Sequence, residues 1–69
     1  AVAPGAVASD FGGGLVRDDA GINRSLAGIT PLGRVGQPDD IGAAVRALLS
    51  DDMRWVNGQR IEVTGGQSL

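Results

Sequence analysis

The sequence predicts an α/β architecture, and three stretches carry that prediction. Pro38 to Ser50 has the periodicity of an amphipathic helix, and Gln59 to Thr64 alternates as a strand does. Ala1 to Gly5 reads as the end of a buried strand broken by a Pro-Gly turn. A helix with one apolar stripe and a strand with one apolar face both need a surface to cover them.

In the opening segment Pro4 withdraws a ladder donor and Gly5 permits backbone angles that other residues avoid, so the strand is expected to stop there. Ala6 to Asp10 is expected to be extended. Phe11 then precedes Gly12, Gly13 and Gly14, and three consecutive glycines read as a hinge. They lack the GxGxxG spacing of a dinucleotide loop, and a nucleotide P-loop needs a lysine that this chain does not contain. A short helix is expected from Asp18 or Asp19, either of which can cap it, to about Gly28, with Ile22, Leu26 and Ile29 at i, i+4 and i+7. Gly21 and Gly28 each weaken it by roughly 1 kcal/mol relative to alanine. It therefore reads as a marginal helix between flexible joints, suited to a lid or to an ordinary mobile loop.

Pro31 to Gln37 is a turn-rich approach to the main helix, and Arg34 is its one charged group. Such an arginine either anchors a phosphate or carboxylate or is solvated or paired locally. In the main helix Ile41, Ala44, Val45, Leu48 and Leu49 form one stripe at i, i+3, i+4, i+7 and i+8. Pro38 suits the first helical position, Asp39 and Asp40 put negative charge at the N-terminus, and Arg46 lies near the other end. Gly42 borders the stripe and leaves room for another backbone to approach. The helix is expected to end at Ser50-Asp51-Asp52.

Asn57-Gly58 is a turn dipeptide, but a hairpin across it would have only Trp55 and Val56 as its first arm. In the strand that follows, Ile61 and Val63 share one face. A lone strand cannot satisfy its own backbone groups, so this one is expected to join a sheet that the rest of the chain does not contain. Gly65-Gly66 closes it, and Gln67-Ser68-Leu69 is a short tail.

Bulk properties narrow the class. A chain of 69 residues with no cysteine and no histidine has no disulfide and lacks the ligands of a structural zinc staple, so it must live on its core alone. Twelve glycines and a single Trp, Phe and Met make a self-sufficient core implausible, and the chain is expected to be a fragment of a larger domain. Eight acids against six arginines give a net charge of −2 without a basic patch, which argues against nucleic acid or a membrane surface as partner. No apolar run is long enough to span a bilayer and no signal-peptide pattern opens the chain, so a soluble cytoplasmic protein is the expectation.

The ordered motifs carry a resemblance. Pro4-Gly5-x-Val7-x-Ser9, a variable glycine-rich stretch, Pro31-Leu32-Gly33-Arg34-x-Gly36-x-Pro38-Asp39-Asp40-Ile41, a helix ending Leu48-Leu49-Ser50-Asp51, and Gly58-x-x-Ile61-x-Val63-x-Gly65-Gly66 follow one another at family-like spacing. Together they resemble the C-terminal part of a classical short-chain dehydrogenase/reductase. The match is tightest over Pro4–Ser9 and Leu32–Gly66 and loosest over Gly12–Ile29.

That resemblance implies the C-terminal part of a doubly wound parallel-sheet, Rossmann-type domain. Residues 1–9 would be the strand end and nicotinamide loop, residues 10–31 the substrate lid, and residues 32–69 the last long helix, the last strand and the tail. It implies NAD or NADP as cofactor, bound beyond the carboxyl ends of the strands. Pro4 would lie at that edge. Gly5 would let the ring approach, the Val7 backbone would offer a donor and an acceptor to the carboxamide, and the Ser9 hydroxyl would complete the contact. Phe11 would stand near the cofactor at the base of the lid. Ser9 replaces the family's usual Thr, keeping the hydroxyl and losing the methyl that restricts its rotamer. Thr64 stands where the family often has Asp before Gly-Gly. The substrate implied is a small alcohol or carbonyl compound, and the partners implied are the remainder of the same enzyme and further copies in a dimer or tetramer. The family's catalytic Tyr, Lys and Ser match no position here, and the chain contains no tyrosine or lysine. No residue from 1 to 69 is therefore assigned to catalysis. The alternatives are a catalytically inactive relative serving as a binding or scaffold protein, and a small interaction module pairing Ile61 and Val63 into a partner's sheet.

Overall fold

The computed structural model describes residues 1–67. Strand β1 (Val2–Pro4) is followed by a 3-10 turn (Phe11–Gly14), helices α1 (Leu15–Asp18), α2 (Ala20–Gly28) and α3 (Pro38–Leu48), a second 3-10 turn (Asp51–Met53) and strand β2 (Ile61–Val63). The expected tail runs past the described residues at Ser68.

The two strands pair with each other in parallel, Val2 opposite Ile61, Ala3 opposite Glu62 and Pro4 opposite Val63. This corrects the expectation that β2 finds no partner within the chain. The ladder continues beyond both ends of the strands, where Ile61 N–H donates to Ala1 C=O at 2.9 Å and Gly5 N–H to Val63 C=O at 3.1 Å. No hairpin forms across Asn57-Gly58. A parallel pair needs a long crossover rather than a tight turn, and here α1, α2 and α3 provide it. Gly58, with φ of 69°, turns the chain into β2 instead.

Local chemistry explains the helices. Asp19 caps α2, its Oδ1 accepting the Ile22 N–H at 2.9 Å, so of the two candidate caps the second acts. The short helix α1, absent from the sequence expectation, rides on a cluster in which Arg17 reaches both Asp10 and Asp18. Asn23 Nδ2 donates to Val16 C=O at 2.8 Å and ties α2 back onto α1. The three glycines of the expected hinge take φ of 64°, 77° and 80°, left-handed values that side-chain-bearing residues rarely adopt. They coil the chain into the first 3-10 turn, and the extended form expected over Ala6 to Asp10 survives only around Val7.

Helix α3 begins at Pro38, as the sequence expects, and ends at Leu48, two residues before the expected Ser50. Asp40 Oδ2 accepts the Gln37 N–H at 2.7 Å and so satisfies a free donor at the helix start. Ile41, Ala44 and Leu48 are partly covered, while Val45 and Leu49 on the same stripe stay exposed. Among the described residues no neighbouring backbone outside the helix reaches Gly42, whose nearest added contact would be the Arg46 guanidinium.

The core is thin. Ala8, Val35 and Thr30 are the buried side chains of the described residues, and Phe11, Leu32, Leu49 and Trp55 stand 91, 72, 82 and 96% exposed. The accessible surface is 4992 Å², against about 4,000 Å² for a compact monomer of this mass. No helix among the described residues is long and apolar enough to cross a membrane.

Candidate functional site

Where β1 ends, the chain leaves the sheet and makes one isolated parallel bridge between Val7 and Gly36. Gly36 N–H donates to Ala6 C=O and Ala8 N–H donates to Gly36 C=O, each at 2.8 Å. In a parallel bridge the flanking residues make the bonds, so the N–H and C=O of Val7 point away from Gly36. Neither makes a hydrogen bond among the described residues.

Val7 also lines a cavity of about 580 Å³, together with Pro4, Gly5, Ala6, Ser9, Phe11, Val16 and Ile41. All five residues singled out from the sequence therefore meet at one cavity. Ser9 is its one polar side chain, and the Ser9 Oγ accepts the Phe11 N–H at 3.3 Å, leaving its own proton free to donate. No group in the lining exchanges a proton near neutral pH, so this wall can bind, orient and exclude water but cannot do acid–base chemistry.

Gly5 also has a reason within the fold. A Cβ there would stand 2.9 Å from the Thr64 Cα and 3.0 Å from its Cβ, so the missing side chain is what lets the loop cross closely beside the end of β2. Ala6, Val16 and Ile41 escaped sequence reasoning as lining residues. Ile41 opens the apolar stripe of α3 and reads as core, and Val16 belongs to a helix too short to show a period.

Behind Gly36 stands an ion pair. Arg34 binds Asp40 through both terminal nitrogens, Nη1 to Oδ2 at 2.7 Å and Nη2 to Oδ1 at 3.1 Å, and Nη1 also donates to Val35 C=O at 3.1 Å. Of the roles open to Arg34, the structure shows local pairing. The Arg34 guanidinium, with the Gln37 N–H, holds the Asp40 carboxyl at about 2 rather than 3.8, and the carboxylate in turn raises the Arg34 pKa. An unfolded chain loses that advantage. The stabilisation is complete above pH 3.8 and drains away as pH falls toward 2, because the carboxyl whose folded pKa is the lower one must then be protonated. Acid titration followed by circular dichroism is expected to show Asp40→Asn narrowing the stability difference from the parent protein over that window; a constant difference would contradict the assignment. Among the described residues no three side chains are grouped as a metal site.

Residues 1–68 match the family model described as enoyl-(acyl carrier protein) reductase. An uncharacterised oxidoreductase of Methylorubrum extorquens is 58% identical over 41 residues, which is 59% of this chain and 16% of that protein. A hydroxynaphthalene reductase-like protein of Metarhizium brunneum is 53% identical over 45 residues, 65% of this chain and 17% of that protein. Versicolorin reductase 1 of Dothistroma septosporum is 37% identical over 75 aligned positions, covering 96% of this chain and 28% of that protein. The chain thus spans between 16 and 28% of the length of these relatives, and the matched region lies in their C-terminal portion. On the match over residues 1–68, with oxidoreductases as its relatives, the chain belongs to the enoyl-(acyl carrier protein) reductase family of short-chain dehydrogenases/reductases.

Proposed function

We propose that this chain is the C-terminal segment of an NAD(P)-dependent oxidoreductase that moves a hydride between a nicotinamide and an alcohol or carbonyl carbon, and that Pro4 to Ser9 hold the nicotinamide. The observation that carries the reading is the pair of unbonded backbone groups on Val7, a residue that lines an apolar cavity. A primary carboxamide needs one acceptor and one donor side by side. Val7 presents one N–H and one C=O, and the Ser9 hydroxyl lies two residues on. The nicotinamide, when bound, supplies the carbon that gives or takes the hydride. The chain's own part is to fix one face of the ring, while Phe11 and Val16 cover the substrate side and keep water out.

The lining carries no charge, and the relatives include reductases named for hydroxynaphthalene and versicolorin. Both observations support an uncharged, largely apolar carbonyl or alcohol as substrate. Residues 10–31 are assigned to the substrate lid. The exposed Leu49, Trp55 and Val56, in the segment that joins α3 to β2, support a subunit interface there.

Fluorescence titration of the intact protein with NADH and NADPH tests the cofactor reading. Ser9→Ala is expected to weaken binding about fivefold, the worth of one hydrogen bond near 1 kcal/mol, or to slow hydride transfer by a similar factor. Unchanged binding and unchanged turnover would remove Ser9 from the site.

A further inference from the structure

The ion pair behind Gly36 is joined to the cavity by an unbroken set of peptide groups. Each peptide group offers an oxygen on one side and an N–H on the other. The group between Val35 and Gly36 accepts from Arg34 Nη1 through its oxygen and donates through its N–H to Ala6 C=O. That oxygen belongs to the peptide group whose N–H is the free donor of Val7. The group between Gly36 and Gln37 runs the other way. Its N–H donates to Asp40 Oδ2, and its oxygen accepts from the Ala8 N–H, which shares a peptide group with the free C=O of Val7. Two parallel chains therefore start at the two ends of one ion pair and end on the two unbonded groups of one residue.

Their polarities match the chemistry. Donation by a cation into the first chain makes each N–H along it a stronger donor, and acceptance by an anion at the head of the second makes each C=O a stronger acceptor. Arg34 is the cation and Asp40 the anion, so the Val7 N–H gains donor strength and the Val7 C=O gains acceptor strength. Bidentate pairing of Arg34 with Asp40 also fixes the two peptide planes beside Gly36, and Gly36 fixes those beside Val7.

We propose that Arg34 and Asp40 are positioning residues for the cofactor, aligning and polarising the two Val7 backbone groups that receive a primary carboxamide, through Gly36 and without touching the cofactor themselves. The proposal rests on the assignment of Val7 to the nicotinamide.

The test compares two cofactors in the intact protein. One is NAD(P)H, whichever form binds. The other is its 3-acetylpyridine analogue, which keeps the ring's C=O and lacks the NH2. Asp40→Asn keeps an oxygen to accept the Gln37 N–H but removes the charge. It is expected to raise the Kd for the nicotinamide form about twofold and to leave that for the acetyl form near the parent's, because the contact it weakens is missing from the analogue. Arg34→Ala is expected to raise both by a similar factor, and Arg34→Lys to recover part of the loss as a single-point donor. Binding equal to the parent's in Asp40→Asn and Arg34→Lys, with both folded by circular dichroism, would overturn the proposal, as would losses that are identical for the two cofactors in every variant. If Arg34→Ala does not fold, Asp40→Asn and Arg34→Lys still decide. A parent protein that binds the nicotinamide and acetyl forms equally would instead remove the Val7 assignment, and the proposal would fall with it.

Discussion

Val7→Pro is expected to weaken NAD(P)H binding roughly 10- to 100-fold while leaving the fold intact. Proline removes one backbone donor and puts its ring carbon where the hydrogen was. At most positions in a sheet that would break the ladder. Here it does not, because the bonds to Gly36 are made by Ala6 C=O and Ala8 N–H, neither of which is changed. The residue before proline must be extended, which suits a residue that accepts a bridge bond. The cost falls on the ligand. A carboxamide oxygen buried at Val7 without a partner loses about 1–3 kcal/mol, and the ring carbon adds steric exclusion. The comparison needs two measurements, cofactor Kd and thermal unfolding midpoint. A normal midpoint with a normal Kd would mean that the cofactor does not use the Val7 N–H.

Gly66→Ala is expected to destabilise the protein by about 2–5 kcal/mol, from two separate causes. With φ of 91° the backbone is in the left-handed region, where an L-residue costs about 1–2 kcal/mol. An added Cβ would also stand 2.9 Å from Pro31 Cγ and 3.1 Å from its Cβ, and such overpacking costs about 1–3 kcal/mol. The proline ring cannot swing aside. Gly58→Ala separates the two causes, since Gly58 has φ of 69° and open space where its Cβ would be. It is expected to lose only the backbone part, about 1–2 kcal/mol. Denaturant unfolding of both variants measures the difference, and equal losses would mean that the contact with Pro31 contributes nothing.

Much of the local structure was legible because it is written in short-range chemistry. Pro38, Asp39 and Asp40 announce the start of α3, and a cap at Asp19 announces α2, since each acts within one helical turn of where it stands. The five expected site residues lie within eight positions of one another, so a single loop brings them together. What the periodicity of α3 could not show is how much of its stripe the chain would cover. Val45 and Leu49 fit the pattern as well as Ile41 does, yet they remain exposed. Periodicity reports which face is apolar, and burial depends on what lies opposite.

Sequence alone establishes α3 and β2, the glycine-rich joints around a short helix, and the Pro4-Gly5-x-Val7-x-Ser9 motif after the first strand. Tertiary packing is needed to show that β2 pairs with β1, that Gly5 leaves room for Thr64 to lie against it, and that Arg34 serves Asp40 and Val35. It alone decided that Gly36 turns the backbone groups of Val7 outward. The pairing of β2 with β1, and of Gly36 with Ala6 and Ala8, joins residues far apart in the chain through hydrogen bonds of peptide groups that every residue carries. A pattern of side chains cannot encode which of those identical groups will meet, because that depends on the register at which two distant segments are brought together.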